Sequence, residues 1–290
     1  MIQNILNALQ WGSFYSLIAL GYCLVYGVLL LINFAHGDIF MVGAYISFFV
    51  CTFLLGKFGL IPGLPGWATL ALAVPLVMML TACVGVGLER VAYRPLRQSH
   101  RLSAVVSALG ASIFFQNAVM LIYGARYKVY PHDILPRTAI HIFGLDIPLI
   151  RLLMLLTSIV MMVGLYLFIQ RTKIGTAIRA AAIDQGAAKL MGINVDRVIM
   201  IVFLIGPALG GAAGLMVGLY YGQINFTMGW LYGLKAFTAA ILGGIGNIPG
   251  AMVGGLLLGV IEAMGAAYIS IAWKDAIAFC VLIIILIVRP

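Results

Sequence analysis

Long apolar stretches occupy most of this 290-residue chain and leave few folds open to it. Two of them, 148–169 and 198–221, each have about the 20 residues that a helix needs to cross a bilayer. Hydrophobic residues make up 64% of the chain and charged residues only 9%, so a soluble domain could not cover its own surface. The stretches are apolar on all sides, unlike the alternating strands of a membrane barrel. The sequence therefore predicts an all-α polytopic membrane protein.

The apolar stretches predict about eight or nine transmembrane or re-entrant helices in one domain, 1–290. The segments 39–55 and 231–245 are short for full crossings, so each could be re-entrant or broken. Each adjoins a Gly-containing polar break, Gly37-Asp38-Ile39 and Gly246-Asn247-Ile248. Paired interruptions of this kind predict an inverted repeat of two halves, near 1–145 and 146–290, and ordinary interhelical turns are the alternative.

Positive charge is concentrated in two loops, around Arg94 and around Arg179. The positive-inside bias places both loops in the cytoplasm and, counting spans backwards, the N-terminus outside. This bias and anionic lipid account for the net charge of +9, so we predict membrane lipid and no nucleic acid as a partner. The four cysteines are far apart and lack CxxC spacing, which predicts free thiols rather than a metal site or disulfides.

The loop at 171–197 differs from a simple turn because it has the composition of a helix. The sequence predicts an Ala-rich helix from Gly175 to Arg197 with an apolar face formed by Ala187, Leu190 and Met191. Gly192 follows an apolar turn and predicts a helix end. A short cytoplasmic helix with a half-apolar face is a candidate docking site for a soluble partner.

Sequence motifs for chemistry are absent. The sequence contains no GxxxxGK[ST] phosphate loop, no HExxH, no GxSxG and no Cys/His cluster, so it predicts no catalytic residues, no metal site and no cofactor bound by this chain. Ionisable residues within the spans are few, mainly Glu262, whereas an ion-coupled carrier would normally have more. This scarcity indicates a stand-alone channel or a pore driven by another subunit, and the predicted docking helix favours the second.

The first polar break supplies three candidate pathway residues, Asn33, His36 and Asp38. They could form a gate or part of a polar pathway. The alternative is an interfacial cap for the next helix, which is the favoured interpretation for Asp38, while both interpretations stand for Asn33 and His36.

The second half supplies the other candidates for a substrate pathway. Glu262 either lines the conduit or pairs with a cation, Lys235 or Lys274. Thr238 and Asn247 complete the candidate set.

Several ordered stretches carry a resemblance that covers almost the whole chain. They are Tyr15-Ser-Leu-Ile-Ala-Leu-Gly-Tyr, Ile32-Asn-Phe-Ala-His-Gly-Asp, Glu89-Arg-Val-Ala-Tyr-Arg-Pro-Leu, Gly192-Ile-Asn-Val-Asp-Arg and the run from Lys235 to Gly250. With them the chain resembles the LivH-type permease subunits of branched-chain amino acid ABC importers. Urea permeases of the same family look similar, so the solute stays open between leucine, isoleucine and valine on one side and urea or another small amide or amino acid on the other.

The resemblance implies a multi-pass protein of the bacterial inner membrane with four kinds of partner. These are a LivM-type permease, two cytoplasmic ATPase subunits that bind ATP and Mg, a periplasmic solute-binding protein and membrane lipid. Closure of the ATPases on ATP would pull on the cytoplasmic loop and alternate access.

The resemblance also assigns an ATPase-coupling role to residues of that loop. The matching positions are Gly175, Arg179, Asp184, Ala187, Leu190 and Gly192. Ile183 stands where relatives often have Glu, so Asp184 is the remaining acidic residue of the coupling motif. The chain ends at Arg289-Pro290, where relatives often continue into a cytoplasmic tail, so truncation at this end is an open alternative.

Overall fold

A computed structural model describes residues 2–54, 66–97, 99–130, 139–142 and 145–288. Within these residues the chain forms eleven α-helices and four short strands. The helices are α1 (Ile2–Leu29), α2 (His36–Phe49), α3 (Gly66–Leu88), α4 (Arg101–Tyr123), α5 (Leu149–Arg171), α6 (Lys173–Ile183), α7 (Gln185–Leu190), α8 (Val195–Tyr221), α9 (Met228–Gly243), α10 (Ile248–Tyr268) and α11 (Lys274–Val288). Eight helical segments are long and apolar enough to cross a membrane, which confirms the predicted all-α membrane fold.

The two segments that looked short in the sequence differ from each other. A π-helical turn, Val50–Leu54, continues α2, so the segment His36–Phe53 has 18 residues and reaches the length of a span. By contrast, α9 has only 16 residues. The chain's end at Arg289-Pro290 lies outside the described residues.

Four strands form two small antiparallel pairs outside the spans. The strand β1 (Lys128–Val129) pairs with β4 (Gln223–Ile224), and β2 (Ala139–Ile142) pairs with β3 (Leu145–Pro148). The first pair joins the segment after α4 to the turn between α8 and α9. The end of α4 and the end of α8 are thereby held together on one side of the helix bundle.

Helix α1 lies in the middle of the molecule and packs along α10 and α8. Small residues allow the close approach: a Cβ on Gly255 of α10 would overlap Ser16 of α1. The Ser16 hydroxyl donates a hydrogen bond of 2.7 Å to the carbonyl of Met252. Because lipid gives helices no hydrophobic reason to associate, such packing and interhelical hydrogen bonds hold the bundle together.

The glycines that recur every fourth residue along α8 form a packing surface. A Cβ on Gly206 would lie 3.4 Å from Gly21 of α1, and a Cβ on Gly214 would lie 2.6 Å from the Phe40 carbonyl oxygen of α2. Gly222 has another role, because its φ of +68° ends the helix in the left-handed conformation. The glycines of α8 therefore serve close helix packing.

Two contacts establish which loops share a side of the bundle. The Gln185 amide donates a hydrogen bond of 2.6 Å to the Val28 carbonyl, which joins the end of α1 to the loop between α5 and α8. Arg97, which follows α3, forms an ion pair with Asp196 at the start of α8. Both basic loops therefore lie on one side, as the predicted orientation requires. The 28 residues of α1 extend about 42 Å, enough to place its first residue on the other side.

The close contact between α9 and α10 at their connecting turn can be tested by substitution. A Cβ on Gly250 would overlap the carbonyl oxygen of Gly243, whereas a Cβ on Gly164 of α5 would meet nothing within 4 Å. We expect Gly250→Ala to lower stability by about 1–3 kcal/mol through overpacking. We expect Gly164→Ala to stay within about 0.5 kcal/mol of the parent. Thermal unfolding midpoints of the two variants provide the comparison, and equal midpoints would contradict the close α9–α10 contact.

Candidate functional site

The loop between α5 and α8 folds as two short helices, which corrects the prediction of one helix from Gly175 to Arg197. The Thr172 hydroxyl caps α6 by accepting a hydrogen bond of 3.0 Å from the Gly175 N–H. Asp184 has an extended backbone, with φ of −154°, and its carboxylate accepts from the N–H groups of Gly186 and Ala187 at 2.7 and 3.1 Å. Asp184 thus ends one helix and caps the next, because a short acidic side chain competes for free backbone N–H groups.

Gly192 ends the second helix, as the sequence predicts. Its φ is +82°, and its N–H donates to the Lys189 carbonyl at 3.0 Å. The Ile193 N–H donates to the Ala188 carbonyl, also at 3.0 Å. These bonds satisfy carbonyls that the helix end leaves free and require a left-handed residue. Helix α8 then begins at Val195, so α6 and α7 form a separate unit, here called the α6–α7 hairpin (172–194).

Three large apolar side chains of the α6–α7 hairpin are exposed. Ile183, Leu190 and Met191 are 89%, 90% and 83% exposed, and we call these three residues the docking tip. Ala187, from the predicted apolar face, is exposed as well. Exposed large apolar side chains are typical of interaction surfaces when they form a contiguous patch.

The inner surface of the hairpin is fixed to the membrane helices. A Cβ on Gly175 would overlap the backbone at the end of α5, and Gln185 binds the carbonyl of Val28 at the end of α1. The half-buried Arg179 guanidinium donates to the Gln170 side chain of α5. Movement of the docking tip would therefore be passed to α1 and α5 directly.

The first polar break lies inside the protein. Asn33 is buried, and its Oδ1 accepts hydrogen bonds from the Ala35 N–H at 3.1 Å and from the Tyr93 hydroxyl at 2.9 Å. Asn33 thus stabilises the turn before α2 and joins it to the segment that follows α3.

His36 is fully buried beside the middle of α1. Its Nε2 lies 3.2 Å from the Ile18 carbonyl oxygen, which assigns the ring proton to Nε2. The Tyr22 ring packs edge-on against the imidazole with centroids 4.7 Å apart. Helix α2 therefore begins beside the middle of α1, and the chain after Leu29 turns back into the bundle, so His36 is the first residue of its span and is buried there.

Asp38 does not cap its own helix, which corrects the favoured sequence interpretation. Helix α2 has no side-chain cap from its flanking residue Ala35, and the Asp38 carboxylate instead accepts hydrogen bonds from α4. The donors are the Ser112 hydroxyl and the Gln116 amide, the latter at 3.0 Å. Because Asp38 is only 1% exposed, these donors replace its water and connect α2 to α4.

A second buried cluster surrounds Glu262 and contains an ion pair. The Lys235 ammonium donates to Glu262 Oε1 at 2.6 Å, so the cation is Lys235 and not Lys274. The Tyr15 hydroxyl donates to Glu262 Oε2 at 2.6 Å, and Asp275 lies 2.5 Å from the Lys235 ammonium. One cation, two carboxylates and the Tyr15 hydroxyl thus join α1, α9, α10 and α11. We call these four residues the ion-pair cluster.

The remaining two candidate pathway residues lie in different environments. Thr238 is buried on α9 one turn after Lys235, and its hydroxyl donates to the Leu234 carbonyl at 2.9 Å. Asn247 is exposed at the turn before α10, where its Oδ1 accepts from the Gly250 N–H at 3.2 Å. The structure therefore brings Thr238 near the ion-pair cluster and leaves Asn247 as a helix cap.

An aromatic side chain connects the first break with the ion-pair cluster. The Tyr232 ring centroid lies 5.4 Å from that of Phe40 in α2 and 6.2 Å from that of Tyr15 in α1. Buried polar groups and aromatic rings thus run together through α1, α2 and α9.

Sequence reasoning missed the partners of these buried groups. They are Tyr15, Tyr93, Ser112, Gln116 and Asp275. Tyr15 and Glu262 are 247 positions apart, and no local pattern pairs residues at that separation. The available signal was that each is a polar residue within an apolar span, where a partner is expected.

Comparisons with known proteins agree over the whole chain. The model of a family described as branched-chain amino acid transport system, permease component, matches residues 4–286. The high-affinity branched-chain amino acid transport permease BraD of Pseudomonas aeruginosa is 45% identical over all of this chain and 94% of its own length. The corresponding LivH protein of Escherichia coli K12 is 42% identical over the same shares. A solved structure described as an inward-facing metal-chelate type ABC transporter has a TM-score of 0.50 and 16% identity, covers 100% of this chain and 87% of its own, and supports the fold alone.

Proposed function

This chain belongs to the family of branched-chain amino acid transport permeases, and we propose that it is the LivH-type subunit of an ABC importer for leucine, isoleucine and valine. In this proposal it lies in the bacterial inner membrane beside a LivM-type permease. Two cytoplasmic ATPase subunits bind ATP and Mg, and a periplasmic binding protein delivers the solute. This chain itself binds no cofactor and performs no catalysis.

The docking tip is the observation that carries the coupling part of the proposal. Three large apolar side chains are more than 80% exposed on a hairpin that is capped at both helix starts. The hairpin is attached to α1 and α5, so a partner that binds the tip and moves would move membrane helices with it. A stand-alone channel has no need for such a surface.

We further propose that the solute passes along the buried polar groups of α1, α2 and α9. Asn33, His36, Asp38, Thr238 and Glu262 belong to this route, while Asn247 serves as a cap. The support is that ionisable and polar side chains inside a membrane protein are costly and usually mark a pathway.

ATPase activity of the complete complex in lipid nanodiscs tests the proposal. Binding protein loaded with leucine is added in one series and with urea in another. Stimulation by leucine alone supports the branched-chain assignment. Stimulation by urea alone keeps the architecture and replaces the solute, and a chain that recruits no ATPase overturns the coupling role and supports the channel.

Gly192 provides a test of coupling. A β-branched residue cannot adopt its φ of +82° without a cost of about 1–2 kcal/mol, although nothing within 4 Å would meet the new Cβ. We expect Gly192→Val to distort the exit of the hairpin, lower uptake several-fold and leave ATP hydrolysis running. Gly192→Asn is the matched control, because Asn tolerates this conformation. Uptake per ATP hydrolysed is the measurement, and equal values for both variants would count against the assignment.

A further inference from the structure

A long apolar groove lies on the outer surface between α3, α5 and α8. It consists of two adjoining cavities of about 580 and 400 Å³ that share Met78 and Leu204. The lining is formed by aliphatic, methionine, glycine and phenylalanine residues, with one thiol, Cys83, and one charged residue, Arg90. At Gly87 and Gly164 a Cβ would meet nothing within 4 Å, so the floor of the groove is open there.

Arg90 lies at the cytoplasmic end of this groove. It is the second residue after α3, and its neighbour Glu89 shares the Arg97 guanidinium with Asp196 beside the α6–α7 hairpin. Arg90 is exposed, and among the described residues it has no hydrogen-bond or ion-pair partner. Its charge is therefore available to a ligand, since the nearest acid along the chain is already paired.

The length of the groove fits one leaflet of a bilayer. It extends from Met78 in α3 to Arg90 in the helical segment that continues it, which is about 18 Å at 1.5 Å per residue. Half of a hydrocarbon core of about 30 Å is about 15 Å. A lipid acyl chain that filled the groove from the bilayer centre would thus place the lipid headgroup at Arg90.

We infer that this groove holds one anionic phospholipid of the cytoplasmic leaflet, with an acyl chain along α3 and α8 and its phosphate at Arg90. A guanidinium binds phosphate through several N–H donors, and basic sites between membrane helices on the cytoplasmic side select anionic headgroups. The apolar lining supplies the remainder of the binding surface. A protein helix as occupant would bring no negative charge to Arg90 by itself.

Native mass spectrometry of the complete complex, released from nanodiscs with equal amounts of phosphatidylglycerol and phosphatidylcholine, tests this inference. We expect the parent to retain phosphatidylglycerol in preference. Arg90→Gln should weaken retention of phosphatidylglycerol about fivefold, the effect of one basic residue at a membrane surface. Retention of phosphatidylcholine should fall less, because its choline ammonium offsets the charge of its phosphate. Gly87→Leu, which fills the groove, should reduce retention of both lipids.

Lys173→Gln is the matched control, because Lys173 is exposed near the cytoplasmic side and does not line the groove. It should retain both lipids as the parent does. The inference is overturned if the parent retains the two lipids equally, or if Arg90→Gln behaves like Lys173→Gln. Cross-linking from the exposed Cys83 to the second permease subunit would also overturn it, because the groove would then be a protein interface.

Discussion

Replacing Lys235 with methionine is expected to lower the free energy of unfolding by about 3–5 kcal/mol. The substitution leaves the Glu262 carboxylate buried with only the Tyr15 hydroxyl as a hydrogen-bond donor. Removing one member of a buried ion pair costs this much because the other charge loses its compensation while it stays away from water. Asp275, which also contacts Lys235, is 38% exposed in its side chain and can recover hydration.

The double variant K235M/E262M separates the loss of the pair from the burial of a lone charge. Because a buried pair replaced by apolar residues of similar volume is often neutral, we expect the double variant to recover most of the lost stability. Lys274→Met is the matched control, since Lys274 lies over the Trp11 ring at 5.5 Å, a surface contact worth about 0.5–1 kcal/mol.

The measurement is the half-life of the purified complex at a fixed elevated temperature, which remains meaningful when unfolding is irreversible. A Lys235→Met half-life equal to that of Lys274→Met would show that the cluster is not a buried ion pair. A double variant as unstable as the single one would show that Asp275 or Tyr15, and not Glu262, is the group left uncompensated.

Replacing Leu190 with aspartate in the docking tip is expected to reduce ATP-driven uptake at least about 30-fold. Loss of a central apolar contact in an interface costs about 2 kcal/mol or more, and 1.4 kcal/mol is a factor of ten in binding. Leu190 is 90% exposed, so the change should leave the stability of this chain unaltered. Ile183→Asp and Met191→Asp should act in the same direction.

Lys189→Gln is the control for the docking tip, because Lys189 is exposed on the same helix and is polar. Co-purification of the ATPase subunits and uptake of leucine into proteoliposomes are measured together. Loss of both in the Leu190 variant, with neither lost in the Lys189 variant, is the expected result. Normal recruitment and uptake with Leu190→Asp would remove the docking tip from the coupling mechanism.

Helix ends in the α6–α7 hairpin show how far local sequence rules reach. Gly192 ends a helix as predicted, because a left-handed residue after an apolar turn is a local requirement. The prediction of a single helix through Asp184 was wrong, because it followed the apolar spacing on both sides of this residue. Asp184 is a good capping residue, and it starts a new helix here. Local chemistry is therefore sufficient to predict the helix boundaries at both Gly192 and Asp184.

Asp38 and His36 show where local rules fail. The sequence places Asp38 in the first turn of a helix and so favours a cap, yet its carboxylate binds Ser112 and Gln116, more than 70 positions away. His36 stands in a polar break that resembles a span boundary, but the chain turns back and buries it against α1. Each outcome depends on which helix lies alongside.

Three features could be predicted from the sequence: a polytopic α-helical membrane protein, two basic loops on one side, and exposed apolar residues in the loop between α5 and α8. These follow from the length, polarity and spacing of neighbouring residues, since a bilayer leaves helices as the solution for long apolar segments. The packing of the helices was needed to show that Lys235 compensates Glu262, that Asp38 bonds to α4 and that α2 begins beside the middle of α1. Helices in lipid associate through the detailed fit of small residues and hydrogen bonds, and the partner of each buried charge is set by that packing.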